Sequence, residues 1–415
     1  MNKNKLGEDE KTIVLVNRSM YLPGEGGYKR TMFLFDLMRD YGHKPVLLTS
    51  DFNHYSKTQR DIVEFREKYP EYDDIIILHT GKYSKNISLQ RCKVELDWTK
   101  QVVDWVSNNA SSIDTIMMIM PDMNTILSVA PICRKSNIKM VVDVRDLRPE
   151  VFKVLIKNEL LYKVLTYPMK RKADKAYACA DVLTAVSDEY LERGKISNTH
   201  AKMYKTVYIG SVLSKFDAGI EKYAKDIKKP DDELWLIYVG TLGTSYDLIT
   251  VIDSVNSIKD DSFNGKYVKL VVLGQGPDKE AFEAHAKSIG ANNVEFIGFV
   301  DYERMAAYLS KSDISINAIK KRASQSIINK VADYFAAGIP MLNGCTCMEQ
   351  QTMVEEYNIG LNYESENSKD LTEKLIVLAK DENLRAEMGK NARRLAEDKF
   401  DRNTTYKQLM EILYS

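Results

Sequence analysis

Lys330 lies in the stretch Ser324-Gln-Ser-Ile-Ile-Asn-Lys-Val-Ala-Asp-Tyr-Phe-Ala-Ala-Gly-Ile-Pro340, where a polar loop runs into a helical pattern that stops at Gly338 before a strand. A helix opening there presents the backbone N–H groups around Ser326, Ile327 and Ile328, unpaired donors with a partial positive charge that suit a diphosphate. The Lys330 ammonium adds a full charge. Cations and aligned amides lower a transfer barrier where a leaving diphosphate gathers charge. The same residues also describe an ordinary amphipathic helix capped by Ser326 with Lys330 in solvent, and by themselves they leave the two readings level.

Glycines after strands are the second signal. In Tyr238-Val-Gly-Thr-Leu-Gly-Thr-Ser-Tyr-Asp247 they permit a tight turn and close approach of backbone to phosphate, with Gly240, Thr241 and Leu242 as candidates and Asp247 as the cap of the next helix. Val271-Val-Leu-Gly-Gln-Gly-Pro-Asp278 lacks the third glycine of a dinucleotide fingerprint. Pro23-Gly-Glu-Gly-Gly-Tyr-Lys-Arg30 follows the first strand and makes Gly26 and Gly27 candidates for close phosphate approach. Arg145 and Asp146, in Val142-Asp-Val-Arg-Asp-Leu-Arg-Pro149, suit acceptor handling or charge stabilisation, or equally a structural pair holding a strand end. His54 is a lone acceptor-side candidate. Neither a strand-end Asp-x-Asp pair nor a His/Glu cluster is spaced for a metal, and Cys345-Thr-Cys347 lacks a second ligand pair, so no metal and no cofactor are expected.

The elements that must position these residues alternate. Thr12–Val16, Pro45–Thr49, Asp74–His79, Asp114–Met120, Lys139–Val144, Val182–Val186 and Lys205–Ile209 read as strands. Helical stretches intervene, the longest from about Val151 to Cys179. A polar stretch, Ser211 to Asp232, interrupts the rhythm, which then resumes at Leu234–Val239 and runs to Pro340–Leu342 before a helical tail from Ser368. The expected fold is α/β, with two doubly wound Rossmann-like domains facing across a cleft, and ligand at the strand ends. The predicted boundaries are 1–212 for the acceptor side, 213–395 for the nucleotide-sugar side, and 396–415 for a terminal helix crossing back to the first domain.

At 415 residues, 44% hydrophobic and 28% charged, the chain suits two globular domains. Lys+Arg and Asp+Glu are equal in number, so no global field favours nucleic acid, and none is expected as a partner. Five cysteines without a leader suit reduced thiols and a cytoplasmic location. No apolar run approaches the ~20 residues of a membrane span. From Lys153 to Lys175, basic residues alternate with Leu160, Leu161, Leu165 and Tyr167. That pattern reads either as a peripheral contact with anionic lipid at the inner face of the cell membrane or as a solvated helix face.

Anchored on Ala336-Ala337-Gly338-Ile339-Pro340, the chain resembles family four glycosyltransferases of the GT-B fold, in particular those of bacterial capsule and O-antigen assembly. In the family's Glu-x7-Glu element, Asp333 stands where the second Glu accepts from ribose hydroxyls. Gln325 stands where the first Glu meets the transferring sugar. Val294-Glu-Phe-Ile-Gly-Phe-Val300 is similar to the stretch that reads the base, giving Gly298, Phe299 and Val300. The Gly240 and Gly26-Gly27 turns match phosphate-facing turns. Val142–Pro149 resembles Asp-x-Arg-Asp-Leu-Trp-Pro, with Arg148 in place of Trp. The resemblance implies a retaining, metal-independent hexosyl- or N-acetylhexosaminyl transfer from a nucleotide sugar, uridine ahead of guanosine, to a glycan or lipid-linked glycan in surface polysaccharide biosynthesis. Lys330, Asp146 and Arg145 are its implied catalytic residues, and Gln325, Ser326, Ile327, Ile328 and Asp333 join the donor site. A nucleotide-sugar epimerase of the same architecture and a non-catalytic nucleotide-sugar-binding subunit are the alternatives.

Overall fold

The computed structural model describes residues 11–27, 30–154, 156, 158–323 and 327–415. Gln325 and Ser326, and Lys157 of the basic stretch, lie outside the described residues. The chain divides into two compact units, one running to Val207 and including Tyr406–Ser415, the other Tyr208–Thr405. These limits stand beside the sequence-based limits at 212 and 395.

In the first unit, β1 (Ile13–Val16), β2 (Val46–Ser50), the small hairpin β3 (Phe52–Asn53) with β4 (Thr58–Gln59), β5 (Ile75–Leu78), β6 (Thr115–Met120), β7 (Lys139–Val144), β8 (Val182–Ala185) and β9 (Met203–Thr206) follow one another. Seven of them form a parallel sheet in the order β5-β2-β1-β6-β7-β8-β9. All four residues of β1 are buried, as a strand covered on both faces requires. Val14 and Val16 enter one core, with Trp98 and Ile126, while Ile13 and Leu15 enter the other, with Phe35, Leu409 and Leu413. The end of the chain is therefore part of this unit's core.

The second unit repeats the plan. It contains β10 (Glu233–Val239), β11 (Ser262–Phe263), β12 (Lys266–Leu273), β13 (Val294–Gly298), β14 (Ile314–Asn317), β15 (Met341–Asn343) and β16 (Gly360–Asn362). The order is β11-β12-β10-β14-β15-β16, with β13 parallel to β12 and β11 antiparallel to β12. Trp235, Ile237 and Val239 face one core, and Leu234, Leu236 and Tyr238 the other. The chain moves outward from β10 through β12 to β13, then restarts on the other side at β14. A ligand in such a sheet binds outside the carboxyl ends where the order reverses. In the second unit this is β10 and β14, and in the first β1 and β6.

Three expectations change. The stretch from Ser211 to Asp232 is not a simple break, because Leu213–Tyr223 is a helix whose Leu213 and Phe216 are buried at helical spacing. The long helix from Val151 is interrupted, with a short 3-10 turn at Glu150–Val154 and a new helix at Glu159–Tyr177, where Asn158 accepts from the Leu161 N–H at 2.9 Å. The helix containing Lys330 runs Asn329–Ala336, so its first turn begins after Ile327 and Ile328.

Candidate active site

In the second unit, the backbone closes tightly around the end of β10. Gly240 donates to the Leu273 carbonyl at 2.9 Å and has φ +138°, a conformation side chains resist. Gly274 has φ +149°, and a Cβ on it would lie 1.8 Å from the Gly240 oxygen. Gly274 in turn donates to the Gly298 carbonyl at 2.8 Å. Leu242 is fully buried, donates to Gln275 at 2.9 Å and accepts from Asp278 at 3.0 Å, so its role is to tie these two turns together. Thr241 is exposed, and its carbonyl receives the Tyr238 hydroxyl at 2.8 Å. Asp247 caps the following helix by accepting from the Thr250 N–H at 3.5 Å. Gly298 is buried, Phe299 is 76% exposed and Val300 packs on the core.

Lys330 comes to the Gly240 turn from the Asn329–Ala336 helix. A Cβ on Gly240 would stand 3.5 Å from its Cδ and 3.7 Å from its Nζ. The residue is only 8% exposed, and Nζ has no hydrogen-bond partner among the described residues. Nζ lies over the rings of Tyr238 and Tyr246, 3.9 and 4.3 Å from their centroids. Two π faces hold a cation without neutralising it. Burial pushes the ammonium well below the usual lysine range, against a smaller opposing effect of Cys345. A buried charge lacking a counter-ion is costly unless one arrives.

The helix that carries Lys330 is fixed at both ends. Ile328 precedes it in extended conformation without a side-chain cap, and Ile327 is buried. At the far end, Ala337 donates to the Asp333 carbonyl at 3.0 Å, Gly338 to Phe335 at 3.0 Å, and Gly338 takes φ +65°. Asp333 is 2% exposed, and its Oδ1 receives the hydroxyls of Ser211 at 2.5 Å and Tyr302 at 2.9 Å. Asn317, Asn343 and Asn362, aligned across β14, β15 and β16, form a side-chain ladder with bonds of 3.0 and 2.8 Å. Sequence reasoning missed this ladder and the tyrosine pair. Three asparagines each closing a strand were the available signal for the ladder.

In the first unit, Arg145 and Asp146 diverge. Arg145 turns inward, donating to Asp143 at 2.6 Å and Thr31 at 2.8 Å, whereas Asp146 is exposed. Asp143 is fully buried and also meets Arg30 at 3.4 Å and Thr184 at 2.7 Å. Arg30 and Arg145 overcome the effect of burial and hold its carboxyl down at about 2. Arg145 thus sits in a buried ion-pair network. Gly27, with φ +105°, backs onto Tyr21, while among the described residues nothing lies within 4 Å of a Cβ placed on Gly26. His54 bonds through Nδ1 to the Tyr83 hydroxyl. Burial, then Lys57, Arg91, Arg18 and Arg148, lower its imidazole to about 4. Among the described residues, no group of three or more His, Cys, Asp or Glu is placed to hold a metal ion, and no helix is long and apolar enough to cross a membrane.

Residues 219–395 match the family model of the group 1 glycosyl transferases. WcaI of Escherichia coli (strain K12), assigned provisionally by its name to colanic acid biosynthesis as a glycosyl transferase, is 24% identical over 123 residues, 29% of this chain and 29% of its own. The uncharacterized glycosyltransferase MJ1069 of Methanocaldococcus jannaschii is 24% identical over 264 residues, 62% of this chain and 63% of its own. The chain thus matches less than two thirds of the length of either. Among solved structures, Anabaena HepE in complex with UDP superposes with a TM-score of 0.69 at 15% identity, covering 97% of this chain and 99% of HepE. WaaG, a glycosyltransferase involved in lipopolysaccharide biosynthesis, gives 0.63 at 15%, covering 97% and 99%. At these identities the likeness establishes the two-unit GT-B fold.

Proposed function

We propose that this chain, a member of the group 1 glycosyl transferases through its residues 219–395, moves a hexosyl or N-acetylhexosaminyl group from a UDP-linked donor to a glycan or lipid-linked glycan in surface polysaccharide biosynthesis. One observation carries the reading: an aromatic-boxed ammonium, Lys330, without a hydrogen-bond partner among the described residues, meets a glycine turn at the sheet's reversal point, within the matched segment. The neighbour HepE has been solved with UDP and with UDP-glucose, which supports uridine as the base.

In this reading the diphosphate lies on the Gly240 turn and the start of the Asn329–Ala336 helix, with Lys330 as its counter-ion. Gly298, Phe299 and Val300 take the base, and Ile327 and Ile328 border the phosphates. The bond from the anomeric carbon to phosphate oxygen breaks as the acceptor oxygen attacks from the same face. Attack on the leaving-group face retains configuration, and the acceptor proton passes to the departing phosphate. Charge accumulating on the diphosphate is met by fixed donors and Lys330, which is where a barrier is lowered most. No cofactor or metal takes part. Asp333 reaches the ribose by exchanging one of its hydroxyl partners, and Asp146 and His54 lie on the acceptor side.

The protein is proposed to be cytoplasmic and to touch the inner membrane face through Glu159–Tyr177. Leu160, Leu161, Val164, Leu165 and Tyr167 are all exposed on this helix, beside Lys163, Lys170 and Arg171. A donor panel tests the reaction: UDP release that needs a glycan acceptor supports transfer. Epimer formation without an acceptor, or binding without turnover, would refute it.

A further inference from the structure

The loop after β1 and the β3–β4 hairpin are joined by one side chain. Arg60 donates to both oxygens of Glu25, at 2.7 and 2.9 Å, and to the carbonyls of Ser50 and Met20, each at 2.6 Å. Asn53 adds a bond of 3.2 Å to Glu25. This clamp brings together two tyrosines from different segments. Tyr21 of the loop and Tyr55 of the hairpin tip stack with centroids 4.3 Å apart and planes 11° from parallel. Gly27 backs Tyr21 so closely that a Cβ would stand 2.2 Å from its ring. Tyr55 is 53% exposed.

The tip itself is fixed. Asn53 Oδ1 accepts from the N–H groups of Tyr55 and Ser56 at 2.9 and 3.2 Å. Lys57 closes the turn with φ +61°, where glycine would be the ordinary choice. A lysine at that position places its Nζ 3.4 Å from His54 Nδ1 and 4.8 Å from the Tyr83 centroid. Arg91 lies 5.7 Å from the same ring, and Arg18 and Arg91 share Glu95 at 2.8 and 2.9 Å. Arg18 Nη1 is buried and lacks a hydrogen-bond partner among the described residues. His54 meets the edge of Tyr55 at 5.3 Å and links this cationic group to the stacked pair.

A flat, half-exposed aromatic that cannot rotate away offers an apolar face to the C–H side of a pyranose. Clustered cations beside it focus a positive potential on any acid group that ring carries. We infer that Tyr55, joined through His54 to Lys57 and Arg18, binds an acidic sugar, the pyranose lying on the Tyr55 ring and its carboxylate or phosphate turned toward these cations. Asp146, exposed and within electrostatic reach of Tyr55, accepts from the ring hydroxyls. The ligand's role as the acceptor rests on the glycosyl-transfer reading; the binding site does not.

Saturation-transfer NMR on the full chain, with methyl glucoside, methyl glucuronide and glucose 6-phosphate as probes, tests this. At least one acidic probe binds about tenfold more tightly than methyl glucoside, and the two acidic arms separate carboxylate from phosphate. Tyr55→Ala abolishes binding, Tyr55→Phe retains it, and Lys57→Gln lowers the acidic preference to about threefold or less. UDP affinity, read in parallel, is unchanged in all three variants. Equal binding of neutral and acidic probes, no binding of either acidic probe, or full binding by Tyr55→Ala overturns the inference. A chain that binds the acidic probe but never releases UDP from a donor overturns the transfer reading and leaves this site standing.

Discussion

Asp143 and Lys330 are both buried charges near the carboxyl end of a parallel sheet, and their surroundings are opposite. Asp143, on β7, receives Arg145, Arg30 and Thr184, and its carboxyl is held at about 2. Lys330, beside the end of β10, has two π faces, no hydrogen-bond partner among the described residues and an ammonium pushed well below its ordinary range by burial. A charge whose partners are all internal stabilises the fold and has nothing left for a ligand. A charge without internal partners burdens the fold, and that burden is relieved when an anion binds. The contrast is between a carboxylate that Arg30 and Arg145 neutralise and an ammonium that no described residue hydrogen-bonds, although the sequence presents Asp143, Arg145 and Lys330 alike as charged residues beside turns.

The largest expected effect comes from breaking the satisfied member. Asp143→Ala leaves Arg30 and Arg145 buried without their common anion, a change that typically costs about 3–5 kcal/mol. Thermal unfolding should move down by roughly 2–4 °C for each kcal/mol in a unit of this size. The same pairing sets an acid limit. Because the folded-state value lies below the unfolded value of 3.8, the stabilisation is complete above about pH 4 and is lost as pH falls through about 2. An Asp143→Ala protein as stable as the parent would remove the framework half of the comparison.

Lys330→Met should act in the reverse sense. If Lys330 meets the diphosphate in the transition state as proposed, its removal lowers turnover by about 10²–10³, more than it weakens donor binding. Stability should rise, by about 1 kcal/mol or more, because an apolar chain replaces a buried amine that no described residue hydrogen-bonds. The sign follows from linkage: the unfolded chain holds a proton that the folded lysine releases more readily, so stability grows with pH between the two values. A variant with parental turnover would take Lys330 out of the mechanism. For the intact protein, an arriving diphosphate raises the ammonium's proton affinity, so UDP binding at alkaline pH should be accompanied by proton uptake. Calorimetry in buffers of different ionisation enthalpy measures this, and the uptake should vanish in Lys330→Met.

Much of the second unit could be read from residue types, because glycines at strand ends report a backbone requirement that is local. Gly240 and Gly274 have φ values that few other residues tolerate, and Ala336–Pro340 marks a helix end and a strand start by composition alone. Lys330 was legible as a cation near a helix start, but its box was not. Tyr238 reads as strand interior and Tyr246 as turn, and only the fold brings them to one ammonium. Arg145 shows the reverse case, a side chain whose partners the sequence does not display. Its spacing suits a strand-end catalytic group, yet its partners Thr31 and Asp143 come from segments 114 and 2 residues away. The Tyr21–Tyr55 stack is held by Arg60, at the end of the hairpin, bonding to Glu25, 35 residues away. Pairings across such separations are set by topology, which periodicity does not carry. The Leu213–Tyr223 helix was hidden for another reason: its apolar face is short and its remaining surface polar.

Asp333 stands between the two extremes and gives the smallest and most discriminating effect. Its carboxylate is nearly sealed, and Oδ1 accepts from the hydroxyls of Ser211 and Tyr302. Hydroxyl bonds to a carboxylate contribute roughly 1.5–3 kcal/mol each, less than an ion pair removed from water costs to break, and a ribose hydroxyl can replace one at little net loss. Tyr302→Phe removes one competitor in advance. The variant should unfold a few degrees lower, about 1–2 kcal/mol less stable. If Asp333 exchanges Tyr302 for ribose, the freed position should let UDP bind about two- to fivefold more tightly, since less interaction is surrendered on binding. The gain should disappear for 2′-deoxy-UDP if the exchanged bond goes to the 2′-hydroxyl, and persist if it goes to the 3′-hydroxyl. An unchanged UDP affinity with the same loss of stability would move Asp333 to the side of Asp143, as a carboxylate that anchors the Lys330 helix and never meets the donor.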